Sequence, residues 1–392
     1  MSWRHQHAVA ADTVFDGETV HHDAAVMIDG GQITWIGPRA SLPPNLLVHR
    51  LPDDAWLAPG FIDLQVNGGG DILFNAEPTR TALAQIAAAH RQFGTTSILP
   101  TLISDTRQKM EAALSAVHKS CADPGILGIH LEGPFLSLEK PGVHDPSMIR
   151  QPGHGDLELL ASLRPVPTLV TLAPERVPAG FIAALVDAGV RVSLGHSMAT
   201  YGETKRALAE GMTGFTHLFN AMRPLDSRSP GPIAAALETP SVWFGMIVDG
   251  AHVDPAMLRL ALRGTATPML VTDAMPPVGG APSFTLNGRK IAVQGTACIR
   301  DDGTLAGTAL DMASAVRNCV KLLDLPLTCA LRYASAEPAK FLGVDREIGR
   351  LAPGFRADMV ALEPTHVRVL GTWVGGNWVC NKARYRENEP YP

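Results

Sequence analysis

Eight short runs of apolar residues alternate with stretches of helical pattern between about residue 60 and residue 325. The runs are mostly continuous and do not alternate with polar residues, which is typical of parallel strands whose outer face is covered by helices. Eight successive strand–helix units predict an α/β protein built on a (β/α)8 TIM barrel, a fold whose active sites lie at the carboxyl ends of the strands. The predicted strands cover residues 61–67, 95–101, 125–132, 168–174, 191–196, 214–219, 243–249 and 268–273.

The stretches between these runs are amphipathic or alanine-rich, which favours helices on the outside of the barrel. Several begin at Asp or Thr, which cap helix N-termini well, and several end at glycine, which is common just beyond a helix. Helices are predicted at residues 79–93, 105–120, 181–188, 201–210, 254–263 and 309–323.

The two ends of the chain do not follow this pattern, since residues 8–36 and 357–380 contain short predicted strands. Tight turns are expected at Asp29-Gly30-Gly31 and at Gly375-Gly376. Each end is too short to bury a core alone, so we expect both to form one small β-sandwich domain.

The barrel is therefore predicted to be inserted into the small domain. The small domain would take residues 1–58 and 346–392, and the barrel residues 59–345. A β-hairpin insert is expected near residues 279–307, with its turn at Asn287-Gly288.

Composition excludes several classes of function. The net charge is −5 and no basic stripe is present, so no nucleic-acid partner is expected. The five cysteines are scattered without a Cys-x-x-Cys pair, which argues against a disulfide framework or a zinc ribbon and fits a reducing compartment. With no apolar signal-like start and no apolar stretch that could span a bilayer, we expect a cytoplasmic protein without a membrane partner.

Four of the predicted strands end in residues that can bind a metal or transfer a proton, namely Glu132, His196, His217 and Asp273. A single histidine at a strand end is usually structural, and a single Asp there is usually a helix cap. Four such endings on one rim of a barrel favour a catalytic centre. One carboxylate and two imidazoles are typical ligands of a catalytic divalent ion that keeps one position open, and Asp273 would then be the acid/base.

The sequence resembles the amidohydrolase superfamily nearly end to end, and within it the N-acetylglucosamine-6-phosphate deacetylases. Two segments are specific to the deacetylases, namely His217–Met222 and Asp249–His252. Pro59–Asp63 and Gly349–Asp358 mark the superfamily only. The remaining matching segments are His130–Phe135, Gly195–Ser197 and Thr272–Met275.

The resemblance implies that Glu132, His196 and His217 hold one divalent ion per subunit and that Asp273 is the catalytic acid/base. Zn²⁺ is the first expectation, with Fe²⁺, Mn²⁺ and Co²⁺ as alternatives. His144 matches a catalytic position that also contacts the substrate near its acetamide group. Further substrate contacts are implied for Asn220, the backbone of Ala221, Arg228 and His252.

The last two residues, Arg228 and His252, match groups that bind the 6-phosphate across the interface of a homodimer. Without the resemblance, Arg228 is a lone charge in a Pro-rich loop, His252 could cap the next helix, and His144 could belong to a plain turn. His130 is two residues before Glu132 and is expected to pack inside the barrel.

Many amidohydrolases carry a His-x-His pair at the end of the first strand, where this chain has Gln65-Val66-Asn67. Amides are poor zinc ligands beside imidazoles, so we expect a single metal, with Gln65 near the site through a water molecule.

The predicted reaction is hydrolysis of N-acetylglucosamine 6-phosphate to glucosamine 6-phosphate and acetate, in amino-sugar metabolism. The alternatives are an isomeric substrate such as N-acetylgalactosamine 6-phosphate, another amidohydrolase reaction, or a non-catalytic relative. The last is the weakest alternative because all four residues of the predicted centre are present.

Overall fold

The computed structural model describes residues 6–379. All eight predicted barrel strands are present, and each pairs in parallel with its neighbour in chain order. Three of the strands that carry predicted site residues end earlier than expected. The barrel strands are Phe61–Val66, Thr95–Ile103, Ile129–Glu132, Thr168–Leu172, Arg191–Leu194, Gly214–Phe215, Trp243–Met246 and Thr267–Leu270.

The barrel closes just beyond its last strand, through an isolated parallel bridge between Val66 and Ala274. The carbonyl of Ala274 also accepts hydrogen bonds from the backbone N–H groups of Asn67 and Gly68. The closure therefore brings the ends of the first and last strands, with Gln65 and Asp273, to the same point of the rim.

The predicted helices are present with slightly shorter bounds: Arg80–Arg91, Arg107–Ser120, Phe181–Asp187, Tyr201–Ala209, Pro255–Ala261 and Met312–Leu323. Helices that the sequence pattern did not predict are Asp156–Leu160, Gly231–Glu238, Leu327–Tyr333 and Ala336–Leu342. None of the helices in residues 6–379 is both long and apolar enough to cross a membrane.

Helix starts follow the expected capping chemistry. The side chains of Thr79, Thr106, Thr200, Asp254 and Asp311 each accept a backbone N–H in the first turn of the helix that follows. At Thr200 the bond is reciprocal, because the Glu203 side chain accepts the Thr200 backbone N–H in return, which satisfies two otherwise unpaired donors.

Strands from both ends of the chain form one eight-stranded sheet with its own hydrophobic core, separate from that of the barrel. The predicted turns at Gly30-Gly31 and Gly375-Gly376 are present. The sheet's strands are His7–Phe15, Val20–Asp29, Gln32–Pro38, Leu47–Arg50, Trp56–Pro59, Met359–Glu363, Arg368–Val374 and Asn377–Val379.

The predicted insert is larger than a hairpin. It is a four-stranded antiparallel sheet of Ser283–Leu286, Arg289–Gln294, Ala297–Arg300 and Leu305–Thr308. Its last strand returns to the barrel, where Thr308 donates its backbone N–H to the carbonyl of Asp273 over 3.0 Å. The insert is thereby tied to the rim that carries the predicted site.

Candidate active site

Glu132, His196 and His217 converge at the carboxyl end of the barrel. The Glu132 carboxylate oxygen Oε1 lies 3.2 Å from Nε2 of His196 and 3.1 Å from Nε2 of His217. The two Nε2 atoms are 3.2 Å apart, and all three side chains are buried. The sequence predicted these three residues as one group, and the structure places them together.

The three donor atoms fit one small divalent ion. Zinc bonds of about 2.0–2.1 Å in a tetrahedron place neighbouring ligand atoms about 3.3–3.4 Å apart. The observed separations are close to that edge length. The other ring nitrogen of His196, Nδ1, lies 2.8 Å from the carbonyl of Lys140, a hydrogen bond that leaves Nε2 free to bind an ion. For His217, Nδ1 is buried and has no hydrogen-bond partner among the described residues.

The backbone turns sharply at three of the four predicted residues. His196, His217 and Asp273 have φ values of 48°, 31° and 52°, in the left-handed region that non-glycine residues rarely adopt. This explains why their strands end two to four residues earlier than the apolar pattern predicts. Such strained conformations concentrate at functional sites, and here they turn the side chains inward over the barrel.

Asp273 lies beside the group formed by Glu132, His196 and His217, and its side chain is partly exposed to a cavity above that group. Burial and the neighbouring charge of Glu132 raise the pKa of its carboxyl to about 6. A carboxyl group with such a raised pKa can both accept and return a proton near neutral pH.

Two amides at the end of the first strand hold Asp273 in place. Nδ2 of Asn67 donates to Oδ1 of Asp273 over 2.7 Å, and Nε2 of Gln65 donates to the same atom over 3.1 Å. Gln65 also donates to both carboxylate oxygens of Glu132, at 3.3 and 3.2 Å. Gln65 therefore contacts Glu132 and Asp273 directly, and its contact with a metal ion through water stays a prediction.

His144 contributes a hydrogen-bond donor to the cavity. Its Nδ1 accepts the backbone N–H of Ser104 at 3.2 Å and lies 2.8 Å from the Ser104 hydroxyl oxygen. Because a backbone N–H can only donate, Nδ1 has no proton and Nε2 carries it. Burial lowers the pKa of His144 to about 3, and the neighbouring His196, with its ring centre 4.5 Å away, contributes to this shift. The ring of His144 is therefore neutral.

His130 lies below the cluster, inside the barrel. Its ring nitrogens lie 3.1 Å from the hydroxyl of Thr101 and 2.7 Å from that of Thr171. Hydroxyl contacts continue from Thr171 to Thr216 over 2.7 Å. Burial lowers the pKa of His130 to about 4, so it is a neutral member of a hydrogen-bonded layer that supports the rim.

A cavity of about 450 Å³ opens above these residues. Of the predicted substrate contacts, His144, Asn220, Ala221 and His252 line it. Arg228 does not. It lies in an exposed loop, and its backbone N–H is bonded to Asp226.

His252 lines the cavity of its own chain. The expectation that it reaches the site of a neighbouring subunit stays a prediction.

Sequence reasoning did not assign a role to Asn67, Ser104 or Asp249. Asp249 lies within a segment that carries the family resemblance, and Asn67 lies in the stretch that stands where a His-x-His pair is common, so both locations were usable signals. Ser104 has none, because its contact with His144 joins residues 40 positions apart in the chain.

Known proteins resemble this chain over most of its length. The model of the amidohydrolase family matches residues 56–379. An N-acetylgalactosamine-6-phosphate deacetylase of Shewanella sp. is 44% identical over 86% of this chain and 87% of its own.

An N-acetylglucosamine-6-phosphate deacetylase of Haemophilus influenzae is 33% identical over 96% of this chain and 100% of its own. The crystal structure of the Pasteurella multocida N-acetylglucosamine-6-phosphate deacetylase aligns with a TM-score of 0.93. It shares 35% identity and covers 96% of this chain and 100% of its own.

Proposed function

Because the chain belongs to the amidohydrolase family, we propose that it hydrolyses N-acetylglucosamine 6-phosphate to glucosamine 6-phosphate and acetate. The observation that carries the proposal is the buried Glu132–His196–His217 group beside Asp273, on the rim of a cavity large enough for a sugar phosphate. Relatives that cover nearly the whole chain and are named for this reaction support it.

The chain's own residues would perform the proton transfers. Asp273 accepts a proton from the attacking water and returns it to the departing amine, and so acts first as a general base and then as a general acid. Nε2–H of His144 donates to the oxygen of the acetyl group as negative charge develops there. Asn67 and Gln65 keep Oδ1 of Asp273 fixed, so that its other oxygen, Oδ2, remains for the transfer.

Glu132, His196 and His217 would hold one divalent ion per subunit, and we propose zinc. Such an ion acidifies a water molecule and polarises a carbonyl group. Two imidazoles and a carboxylate are a ligand set that zinc accepts, as Fe²⁺, Mn²⁺ and Co²⁺ also do.

We further propose a cytoplasmic homodimer in which Arg228 of one subunit binds the phosphate in the site of the other. The exposed position of Arg228, outside the cavity of its own chain, supports a role in the partner's site. Its forked guanidinium suits a phosphate group.

N-acetylgalactosamine 6-phosphate is the second candidate substrate. The relative with 44% identity is named for that sugar, although others at 33–37% identity are named for the glucosamine form. The two sugars differ only in the configuration at C4.

The test is acetate release from both phosphorylated sugars and from unphosphorylated N-acetylglucosamine, with and without a chelator. We expect chelator-sensitive release that is fastest with N-acetylglucosamine 6-phosphate. A higher kcat/KM for the galactosamine form would favour the second candidate. Equal use of the unphosphorylated sugar, or no release from either phosphorylated one, would contradict the proposal.

A further inference from the structure

Asp249 and His252 form a buried pair on the wall of the cavity. Oδ2 of Asp249 lies 2.7 Å from Nδ1 of His252, and the two side chains are 0% and 5% exposed. Burial opposes ionisation of Asp249, but its contacts with His252 and with two backbone N–H groups lower its pKa below the ordinary value. The carboxylate is therefore ionised and can only accept, so Nδ1 of His252 carries a proton.

The second oxygen of Asp249 has a different role. Oδ1 accepts the backbone N–H groups of Ala251 and His252, each at 2.9 Å, and so shapes the turn that carries the histidine. One oxygen thus holds the backbone of the turn, and the other holds the ring.

The turn is also held from outside. Nδ2 of Asn318 donates to the carbonyl of Val248 over 2.8 Å, and the hydroxyl of Thr296 donates to the carbonyl of Asp249 over 3.3 Å. These two bonds come from other elements and do not involve the Asp249 side chain. A change confined to Oδ2 is therefore expected to leave the loop in place.

The ring of His252 is the part of this unit that faces the cavity. No described residue forms a hydrogen bond with its Nε2, and the ring lines the same space as Asp273, Asn220 and Lys140. A group bound in the cavity would therefore meet Nε2.

We propose that Asp249 is a positioning residue that fixes the ring of His252 so that Nε2–H binds the phosphate of the substrate. The proposal rests on the function proposed above, which supplies the phosphate. When the phosphate accepts from Nε2, both ring nitrogens carry protons, and the carboxylate behind the ring balances the resulting positive charge.

Asp249→Asn separates this role from a purely structural one. Its amide oxygen can still accept the two backbone N–H groups, but its NH₂ group cannot accept the proton of Nδ1. We expect KM for the phosphorylated sugar to rise about tenfold with a much smaller change in kcat, as when a binding interaction is lost. Asp254→Asn is the matched control, because Asp254 caps the next helix and should leave KM unchanged.

A double-mutant cycle identifies the residue through which Asp249 acts. If it acts through His252, adding Asp249→Asn to His252→Gln should cause no further rise in KM. Multiplicative effects of the two changes would overturn the proposal, and so would an unchanged KM in Asp249→Asn.

Asp249→Glu provides a second route if the Asn variant does not fold. It keeps the charge but displaces the ring, so a raised KM supports the proposal and an unchanged KM contradicts it.

Calorimetric titration with inorganic phosphate separates this inference from the proposed function. We expect the wild type to bind phosphate about tenfold more tightly than Asp249→Asn, the change expected when one charge-assisted hydrogen bond is lost. If the wild type binds phosphate in this way but releases no acetate, the proposed function fails and the role of Asp249 stands. Equal phosphate affinity in the two proteins would overturn the role of Asp249.

Discussion

The side-chain amide of Asn67 donates a 2.7 Å hydrogen bond to Oδ1 of Asp273, joining the first strand of the barrel to the end of the last. Gln65 donates to the same oxygen from the same face of the first strand. Residues that would be metal ligands in a His-x-His pair are here amides that orient a carboxylate. Their hydrogen bonds therefore hold Asp273, the proposed proton-transfer residue, in position.

Asp273→Asn should abolish catalysis while the protein still binds metal. An amide has nearly the same shape but cannot take up a proton from water, so we expect kcat to fall by about 10²–10⁴-fold, the usual contribution of a general acid–base group. Glu132, His196 and His217 are unchanged, so metal content should stay near one ion per chain. Acetate release and elemental analysis of the same preparation provide the test, and near-normal turnover would refute the assigned role.

Asn67→Ala should move the acidic limb of the pH–rate profile to higher pH. The Asn67 hydrogen bond stabilises ionised Asp273 and lowers its pKa, so removing it raises that pKa. As the solution is acidified, Asp273 of the variant therefore takes up its proton at a higher pH than Asp273 of the wild type. A bound divalent ion lowers the pKa of Asp273 below about 6, so the acidic limb of the wild-type profile is expected below pH 6.

The measurement for Asn67→Ala is kcat/KM against pH, with Asn220→Ala as a control that lines the cavity without contacting Asp273. An acidic limb that stays in place in Asn67→Ala, or that shifts equally in both variants, would count against the role of Asn67.

The barrel was predictable because each strand is a nearly continuous apolar run and each is buried, as at Thr168–Leu172. The strand ends were less predictable. Nothing in the sequence shows that His196, His217 and Asp273 take left-handed backbone conformations, because only the packed rim imposes that strain.

The three candidate metal ligands could be predicted because residue type and strand order can both be read from the sequence. Contacts between distant segments could not be predicted in this way. Ser104 sets the proton position on His144 from a neighbouring strand end, and the choice depends on a backbone N–H that any residue type carries. The sequence could not show that His252 lines the cavity of its own chain, because this depends on how its loop folds against the barrel.

Asp63→Asn should change how the stability of the protein depends on pH. Burial raises the pKa of Asp63 from 3.8 to about 7, so the folded protein binds this proton more tightly than the unfolded chain. The resulting stabilisation is fully present below pH 3.8 and is lost as pH rises to about 7. The amide introduced by the substitution cannot ionise, and its oxygen can still accept the backbone N–H groups of Gln65 and Thr272.

We therefore expect the Tm of Asp63→Asn, relative to the wild type, to increase between about pH 5 and about pH 8. Thermal unfolding of both proteins at these two pH values gives the difference directly. A difference in Tm that is the same at both values would show that Asp63 does not bind a proton on folding.

Removing the metal should destabilise the barrel rim as well as stop turnover. The donor atoms of two imidazoles and a carboxylate lie only 3.1–3.2 Å apart, so an ion bound among them would hold the ends of three strands together. A ligand that binds only the folded state stabilises it by about 2.7 kcal/mol when its free concentration is about 100 times Kd. We expect a chelator to lower Tm in the wild type and to have little effect in His196→Ala, and an equal fall in both would contradict a site at these residues.

Gly307→Ala should impair catalysis through the backbone of Asp273. Gly307 has φ of +73°, and a Cβ there would lie 2.8 Å from the carbonyl oxygen of Asp273. That oxygen accepts the backbone N–H of Thr308, so relieving the clash must shift either the insert or Asp273. Because small displacements of a reacting group cost large factors in rate, we expect kcat to fall by about 10²-fold.

Gly288→Ala is the matched control, since Gly288 lies in the hairpin turn of the same insert with the same φ of +73° and has no atom within 4 Å of the added Cβ. Both variants carry the same left-handed strain, so their difference isolates the clashes at Gly307, which involve the carbonyl of Asp273 and the flexible side chain of Met275. A steady-state comparison in which the two variants lose kcat equally would assign the effect to strain in the insert, and would show that the insert does not control the position of Asp273.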